Sequence, residues 1–281
     1  MTPPNEKPFT EFLANPFAGF AVDLANVASA ETLPRFRVGT EYQNKSADDF
    51  DPVTDADREA EREIRRLIEA RYPDHGIIGE EFGQIRRSAD YVWILDPVDG
   101  TRAFVCGVAS WTTLIALRQR QALSLGMIDQ PFLGEQWMGN GKEAVYRRGD
   151  DERVARASSC TTISEARITT TDPRDRAYFS EEQSSIFDLL ADEARVARFG
   201  FDAYGYGLLA LGQFDIVMEA GLALHDYASL IPIIEGAGGI VTNWSGQPVG
   251  SDDATEILAC ATTDLHEEVL DRIATYRRLS A

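Results

Sequence analysis

Apolar and polar positions change their period several times along the chain, and each change marks an element. Phe20, Leu24, Val27 and Ala28 recur at helical spacing, which predicts a long amphipathic helix covering one side of the core. Pro16 fits its first turn or the end of a shorter helix before it. Residues 35–50 alternate weakly and become polar around Asn44 and Lys45, the pattern of a strand followed by a loop. From Pro52 a helix opens with the apolar stripe Ala60, Ile64, Leu67 and Ile68. Thr54 and Asp57 are spaced for a capping box, in which each side chain satisfies the other's backbone amide. Ile77 and Ile78 read as a short strand closed by Gly79, Glu80 and Glu81, and the apolar run 91–95 as a buried strand leading into a loop. A sheet could set those two strand ends side by side. Residues 111–117 and 123–128 predict a hairpin in an antiparallel sheet, which 132–137 and 143–147 continue around a turn at Gly139 and Gly141.

Residues 150–159 turn charged and polar, which makes them the best candidate for a boundary between two halves, 1–155 and 156–281. The first half reads as α+β with an antiparallel sheet, the second as α/β. In the second, strands at 168–170, 194–199, 214–219, 240–241 and 257–260 alternate with helices at 181–191, 204–211 and, despite Pro232, 226–235. A C-terminal helix shows Leu265, Val269 and Ile273 on one face. Such alternation predicts a layered α/β architecture in one compact unit.

Composition narrows the partners more than the fold. At 281 residues with 44% apolar and 26% charged positions, the chain reads as an ordinary globular protein. A net charge of −19 argues against nucleic acid, whose affinity rests on clustered Lys and Arg. Residues 1–8 lack a basic region followed by an apolar core, and no apolar run is long enough for a bilayer, so no secretory signal and no membrane partner are expected. Cys106, Cys160 and Cys260 have no CxxC spacing and read as free thiols in a reducing cytoplasm. His75, His225 and His266 are too scattered for a local zinc motif and read as surface or packing residues.

The stretch 93–101, Trp-Ile-Leu-Asp-Pro-Val-Asp-Gly-Thr, carries the candidate chemistry. Two carboxylates beside a dry sheet repel each other and lose hydration, so they call for a cation, a pKa shift or water. Pro97 restricts the chain between Asp96 and Asp99, and Gly100 permits an unusual geometry that brings both side chains and a carbonyl to one point. Hard oxygen ligands of this kind suit Mg²⁺ or Mn²⁺ better than zinc. The same residues also read as an Asp-Pro turn followed by an Asp-Gly turn.

Four separated segments resolve that ambiguity: 52–57 (Pro-Val-Thr-Asp-Ala-Asp), 79–81 (Gly-Glu-Glu), 96–101, and His225-Asp226 with 235–239 (Glu-Gly-Ala-Gly-Gly). Together they resemble the inositol monophosphatase family of metal-dependent phosphatases, over most of the chain. The detail is most similar to the bacterial histidinol-phosphate phosphatases, through 104–107 and 111–117, Gln130-Pro131, 135–137, 200–204 and 242–244. His225 departs from the Trp that many members carry before the metal-binding Asp, which bears on local packing or substrate shape. The resemblance implies an αβαβα layered sandwich of the inositol monophosphatase and fructose-1,6-bisphosphatase-like sugar phosphatase fold, acting as one catalytic unit. It further implies that Glu80, Asp96 and the carbonyl of Val98 hold one Mg²⁺. Asp96, Asp99 and Asp226 would hold a second, and Glu80 touches a third through water. Asp57 paired with Thr101 would take a proton from the attacking water, and Gly100 and Thr101 would offer N–H groups to the phosphate.

Substrate choice then falls to residues away from the metals. The resemblance sets Asp202 and Glu219 on the wall facing the leaving group, where two carboxylates suit cationic histidinol better than a neutral polyol. Read without it, Asp202 caps the helix from Ala203 and Glu219 closes a strand. The expected activity is hydrolysis of L-histidinol phosphate in histidine synthesis. Inositol monophosphate or a 3′-phosphonucleotide is the rival substrate, and a non-catalytic regulator with this fold the other class. The expected partner is a small phosphorylated metabolite, and the expected assembly a homodimer.

Overall fold

The structure is a computed structural model that describes residues 7–39, 42–44, 52–174, 178–250 and 255–280, so the loop expected from Lys45 onward lies outside the described residues. The strand Tyr91–Asp99 is buried on both faces, and the alternation of its side chains sets the layering. Trp93 and Leu95 pack against Phe20, Leu24, Ala60 and Ile64 of the helices Pro16–Thr32 and Asp55–Arg71, which form one outer layer. Ile94 points the other way, onto Ala116 and Ala228. The capping box at Thr54 and Asp57 starts the second helix, whose interior is rich in Glu, Arg, Ala and Ile. Pro73 follows its C-cap residue Tyr72 and blocks a further turn.

The strand Tyr91–Asp99 belongs to an eight-stranded sheet in the order Asp151–Val154, Ala144–Arg148, Glu135–Gly139, Ala122–Gln130, Thr112–Gln119, Tyr91–Asp99, Gly76–Gly79, Gly83–Ile85. Its pairs are antiparallel except Gly76–Gly79 beside Tyr91–Asp99, which run parallel and so end together. The second sheet has five strands in the order Val196–Phe199, Arg167–Thr170, Ile216–Ala220, Glu256–Cys260, Ile240–Thr242. Only Glu256–Cys260 runs against its neighbours. Ile216, Met218 and Leu258 face outward onto Phe187, Leu190 and Leu265 of the helices Glu181–Glu193 and Thr263–Ser280. Val217, Ile257 and Ala259 face inward, where the helices Asp202–Ala210 and Leu230–Gly236 meet Leu114, Ile128 and Trp137 of the first sheet. The result is helix, sheet, helix, sheet, helix.

Several expectations shift. Residues 35–38 are not a strand: a 3₁₀ turn covers Leu33–Arg35, and Arg37 takes φ 63°, which ends any extended run before Tyr42–Asn44. The helix expected at 226–235 is two helices, Leu224–Tyr227 and Leu230–Gly236. Pro232 has no N–H to give the carbonyl of Ala228, and its ring crowds that turn. The polar stretch 150–159 contains the edge strand Asp151–Val154, whose charged residues suit an exposed sheet margin. No helix among the described residues is long and apolar enough to cross a membrane.

Candidate active site

Asp96 follows Val92 and Ile94 on the inward face of its strand, so the alternation that buries the core also aims this carboxylate into the middle layer. By the same rule Glu219 follows Val217 on the inward face of the second sheet. The stretch 96–99, expected as a loop, is the irregular end of the strand: the register slips between Asp96 and Asp99. Pro97 has no N–H for the ladder, Thr113 donates its hydroxyl to the Pro97 carbonyl at 2.8 Å, and the Val98 N–H turns back to Asp96 at 3.0 Å. Gly100 then takes φ 79° and starts the helix Thr101–Val105; a Cβ there would lie 2.9 Å from the Asp202 carboxylate.

Glu80 sits one residue past the parallel strand Gly76–Gly79, its N–H bonded to the Leu95 carbonyl at 3.3 Å. The turn that presents it is built on Glu61, a fully buried carboxylate absent from the sequence reading. Glu61 accepts from the N–H of Glu81 at 2.7 Å and of Phe82 at 3.2 Å, and pairs with Arg65 at 2.6 Å. Any side chain at Gly79 would strike it, since a Cβ there would lie 2.1 Å from its oxygen.

Asp57 does two things at once. Oδ2 accepts the Thr54 N–H at 2.8 Å, completing the cap, while Oδ1 lies 3.3 Å from the Thr101 hydroxyl. Thr101 is also 3.0 Å from the Val98 carbonyl, so its single proton chooses between the two. Asp226 enters from the short helix Leu224–Tyr227, anchored by the Ala223 N–H at 2.6 Å, with His225 Nε2 3.4 Å from its other oxygen.

One carboxylate oxygen from each of Asp96, Asp99 and Asp226 lies within 4.8 Å of the others. Burial pushes Asp96 well above the usual carboxylate range, and Glu80, Asp99 and Asp226 push it further. Asp99 is raised by burial and then by Asp202, against the opposing pull of the Ala203 N–H. Burial lifts Asp57 to about 7. So many acids in little water are stable only if protonated or gathered round a cation, and an all-oxygen donor set fits a hard divalent ion.

Glu80, Asp96, Val98, Asp99, Gly100, Thr101, Asp202, Glu219 and Asp226 all line one cavity of about 450 Å³, and Asp57 stands behind Thr101. The wall also includes residues that the sequence reading left out: Arg102, Thr171, Tyr178 and Tyr206. Arg102 lies over the Tyr178 ring at 4.7 Å. His225 lines the cavity too, rather than serving only the surface or packing. Of the other histidines, His75 accepts from the Trp93 indole at 3.1 Å and His266 bonds Thr242 at 2.7 Å.

Asp202 is the first residue of its helix, at φ 48°, and the N-cap position falls to Phe201. Asp99 accepts the Ala203 N–H instead. Burial lifts Asp202 to about 6. Glu219 accepts from Thr170 at 3.2 Å and Thr171 at 3.0 Å, yet burial and then Asp202 still lift it to about 8.

Five layers with a carboxylate-lined cavity where strands of both sheets end define a phosphatase of the sugar-phosphatase fold. The inositol monophosphatase family profile matches residues 14–278, and the chain belongs to that family. It is 38% identical over 266 residues to the chloroplastic bifunctional phosphatase IMPL2 of Arabidopsis thaliana, covering 92% of this chain and 75% of the relative. It is 34% identical over 228 residues to a histidinol-phosphatase of Chlorobaculum parvum, covering 81% and 85%. The solved structure of an inositol monophosphatase from Zymomonas mobilis superposes with a TM-score of 0.80 at 38% identity, covering 90% of this chain and 96% of that one. Members of the family use divalent metals, and this chain is accordingly a hydrolase with an acidic cluster suited to one.

Proposed function

We propose that the chain hydrolyses L-histidinol phosphate to L-histidinol and phosphate. The observation that carries this reading is the pair of acids, half-buried Asp202 and buried Glu219, in the same cavity as the acidic cluster. A neutral polyol gives such a pair no charge to meet, whereas an ammonium group favours their ionised forms. The identity to histidinol-phosphatases supports the same reading. The likeness to the Zymomonas mobilis protein favours inositol monophosphate as the second reading.

In this proposal Asp96, Asp99 and Asp226 hold a divalent cation, with Glu80 and the Val98 carbonyl completing two or three sites. Mg²⁺ is the assigned ion and Mn²⁺ its substitute. Bound there, the cations supply positive charge that neutralises the phosphoryl group and acidifies water. Asp57, oriented by Thr54 and Thr101, receives the proton of the attacking water. Gly100 and Thr101, at the opening of a helix, receive the phosphate. Residues 1–155 and 156–281 act as one catalytic unit, because Asp96 and Asp226 come from different halves, and neither fragment alone is expected to hydrolyse phosphate. We also assign a homodimer, measurable by sedimentation, working in the cytoplasm.

The test is phosphate release with Mg²⁺ from histidinol phosphate, inositol 1-phosphate and a 3′-phosphonucleotide. Histidinol phosphate should have the highest kcat/KM. A preference of about tenfold for inositol phosphate, roughly 1.4 kcal/mol, ends the histidinol reading.

A further inference from the structure

Thr171 stands where the two acids of the wall meet. It follows the strand Arg167–Thr170, which runs parallel beside Ile216–Ala220, so its place in the register is next to Glu219. Its hydroxyl donates to Oε1 of Glu219 at 3.0 Å, while Thr170 donates to Oε2 at 3.2 Å. The Thr171 carbonyl reaches the other way and accepts the Gly200 N–H at 2.9 Å. Gly200, at φ 83°, opens the turn that delivers Asp202, whose carboxylate also lies in hydrogen-bonding reach of the Thr171 hydroxyl. That turn is held in place by the helix it leads into. A Cβ at Gly205 would lie 3.3 Å from Thr169, and one at Gly207 would lie 3.0 Å from the Trp137 ring, so the helix is wedged between the two sheets. Thr171, Asp202 and Glu219 all line the cavity. One residue thus holds Glu219 by its side chain and the Asp202 turn by its backbone.

This arrangement limits what the pair can grip. A hydroxyl within reach of two carboxylates keeps their nearest oxygens no more than roughly 6 Å apart, the span of two hydrogen bonds. A single nitrogen between them reaches both. An ammonium group points its N–H donors from one atom, whereas an imidazole directs its two nitrogens away from each other along the ring. Thr171 has one proton to give, so it satisfies at most one of the acids, and both keep lone pairs for a cation. We infer that Thr171 is a positioning residue for substrate choice: it sets Asp202 and Glu219 so that both carboxylates close on one primary ammonium group of the departing alcohol. The inference rests on the cationic alcohol proposed above. It goes beyond that reading by giving both acids to the amine, with neither reserved for the imidazole.

The test uses esters that differ by one group, with Mg²⁺ and the full chain: L-histidinol phosphate, the same ester without its amine, and L-alaninol phosphate, which keeps the amine and lacks the ring. Each is read as a Ki against hydrolysis of p-nitrophenyl phosphate, and the ratio of Ki without the amine to Ki with it is the amine preference. In the unmodified protein that preference should be about tenfold or more, the scale of a hydrogen bond to a charged group. Thr171→Val should cut it roughly tenfold and Thr171→Ser should restore it, while Thr170→Val, which loosens Glu219 alone, should keep most of it. Thr171→Ala gives the same comparison where Val does not pack. Asp202→Asn and Glu219→Gln should each weaken binding of L-histidinol phosphate and L-alaninol phosphate, with no matching loss on the deaminated ester. A Thr171→Val protein that keeps the full amine preference, a Thr170→Val protein that loses as much of it, or an acid variant whose loss persists on the deaminated ester would each overturn the assignment. A lower Ki for inositol 1-phosphate than for histidinol phosphate in the unmodified protein would end the histidinol reading, while the amine preference still decides the role of Thr171. An unmodified protein with no amine preference would overturn both.

Discussion

The backbone N–H of Ala203 donates to Oδ2 of Asp99 across 2.8 Å, so a carboxylate at the end of the strand Tyr91–Asp99 caps a helix that begins at Asp202. Asp99 therefore serves the fold and the cluster together, and the two roles separate by substitution. Asp99→Asn keeps an acceptor for Ala203 while removing one charge from a crowded group. Without metal the variant should melt no lower than the parent, whereas the rise in melting temperature on adding Mg²⁺ should vanish. Phosphate release should fall by more than about a hundredfold, since even residues that merely orient a ligand are worth 10–100-fold. A Mg²⁺-dependent rise that survives in Asp99→Asn would remove Asp99 from the ligand set.

Glu61 holds two backbone N–H groups and Arg65 from a fully buried position, and so shapes the turn that carries Glu80. Breaking a buried pair costs about 3–5 kcal/mol, and Arg65, which reaches some solvent, sets the lower end for Glu61→Ala. The urea midpoint should drop accordingly, and Mg²⁺ should bind more weakly. An unchanged midpoint would show that the turn stands without Glu61.

Stability of the metal-free protein should fall as pH rises. Asp57 and Glu219 titrate near 7 and 8 in the fold, against 3.8 and 4.5 ordinarily. Both raised groups hold protons that the unfolded chain has already lost, so their contribution is complete below pH 4 and lost on rising through 7 and 8. Saturating Mg²⁺, which favours the ionised cluster, should flatten or reverse the trend. Calorimetric melting from pH 5 to 8 with and without Mg²⁺ reads this directly; a metal-free melting temperature that climbs over this range contradicts it.

Selectivity should follow the charge of the wall. Asp202→Asn tolerates the φ of 48° that Asp202 occupies, so the backbone is kept while the charge is lost. A hydrogen bond to a charged group contributes about 1.5–3 kcal/mol, so kcat/KM for histidinol phosphate should fall at least tenfold in Asp202→Asn and in Glu219→Gln. Inositol phosphate turnover should change less. Equal falls on the two substrates would place both residues in the general machinery rather than in recognition.

Much of the frame was legible because burial follows period. The inward aim of Asp96 is the parity of Ile94, and the stripe from Ala60 to Ile68 reads directly as the buried face of a helix. What escaped depends on partners far along the chain. The slip at Pro97 is fixed by Thr113, and the cap at Ala203 by Asp99, neither of which local sequence reveals. Glu61 and Arg65 resemble a solvated i,i+4 pair until the Gly79 turn closes over them. Tyr206 could have been noticed one turn after Asp202, but Arg102 and Tyr178 meet only in the folded chain.

The wedging of the helix Asp202–Ala210 between Thr169 and Trp137 fixes how far its side chains stand from the acids beneath. A substitution on this helix should therefore exchange one pin in a rigid socket and leave the socket itself where it is, so the shape of the cavity can be altered one side chain at a time.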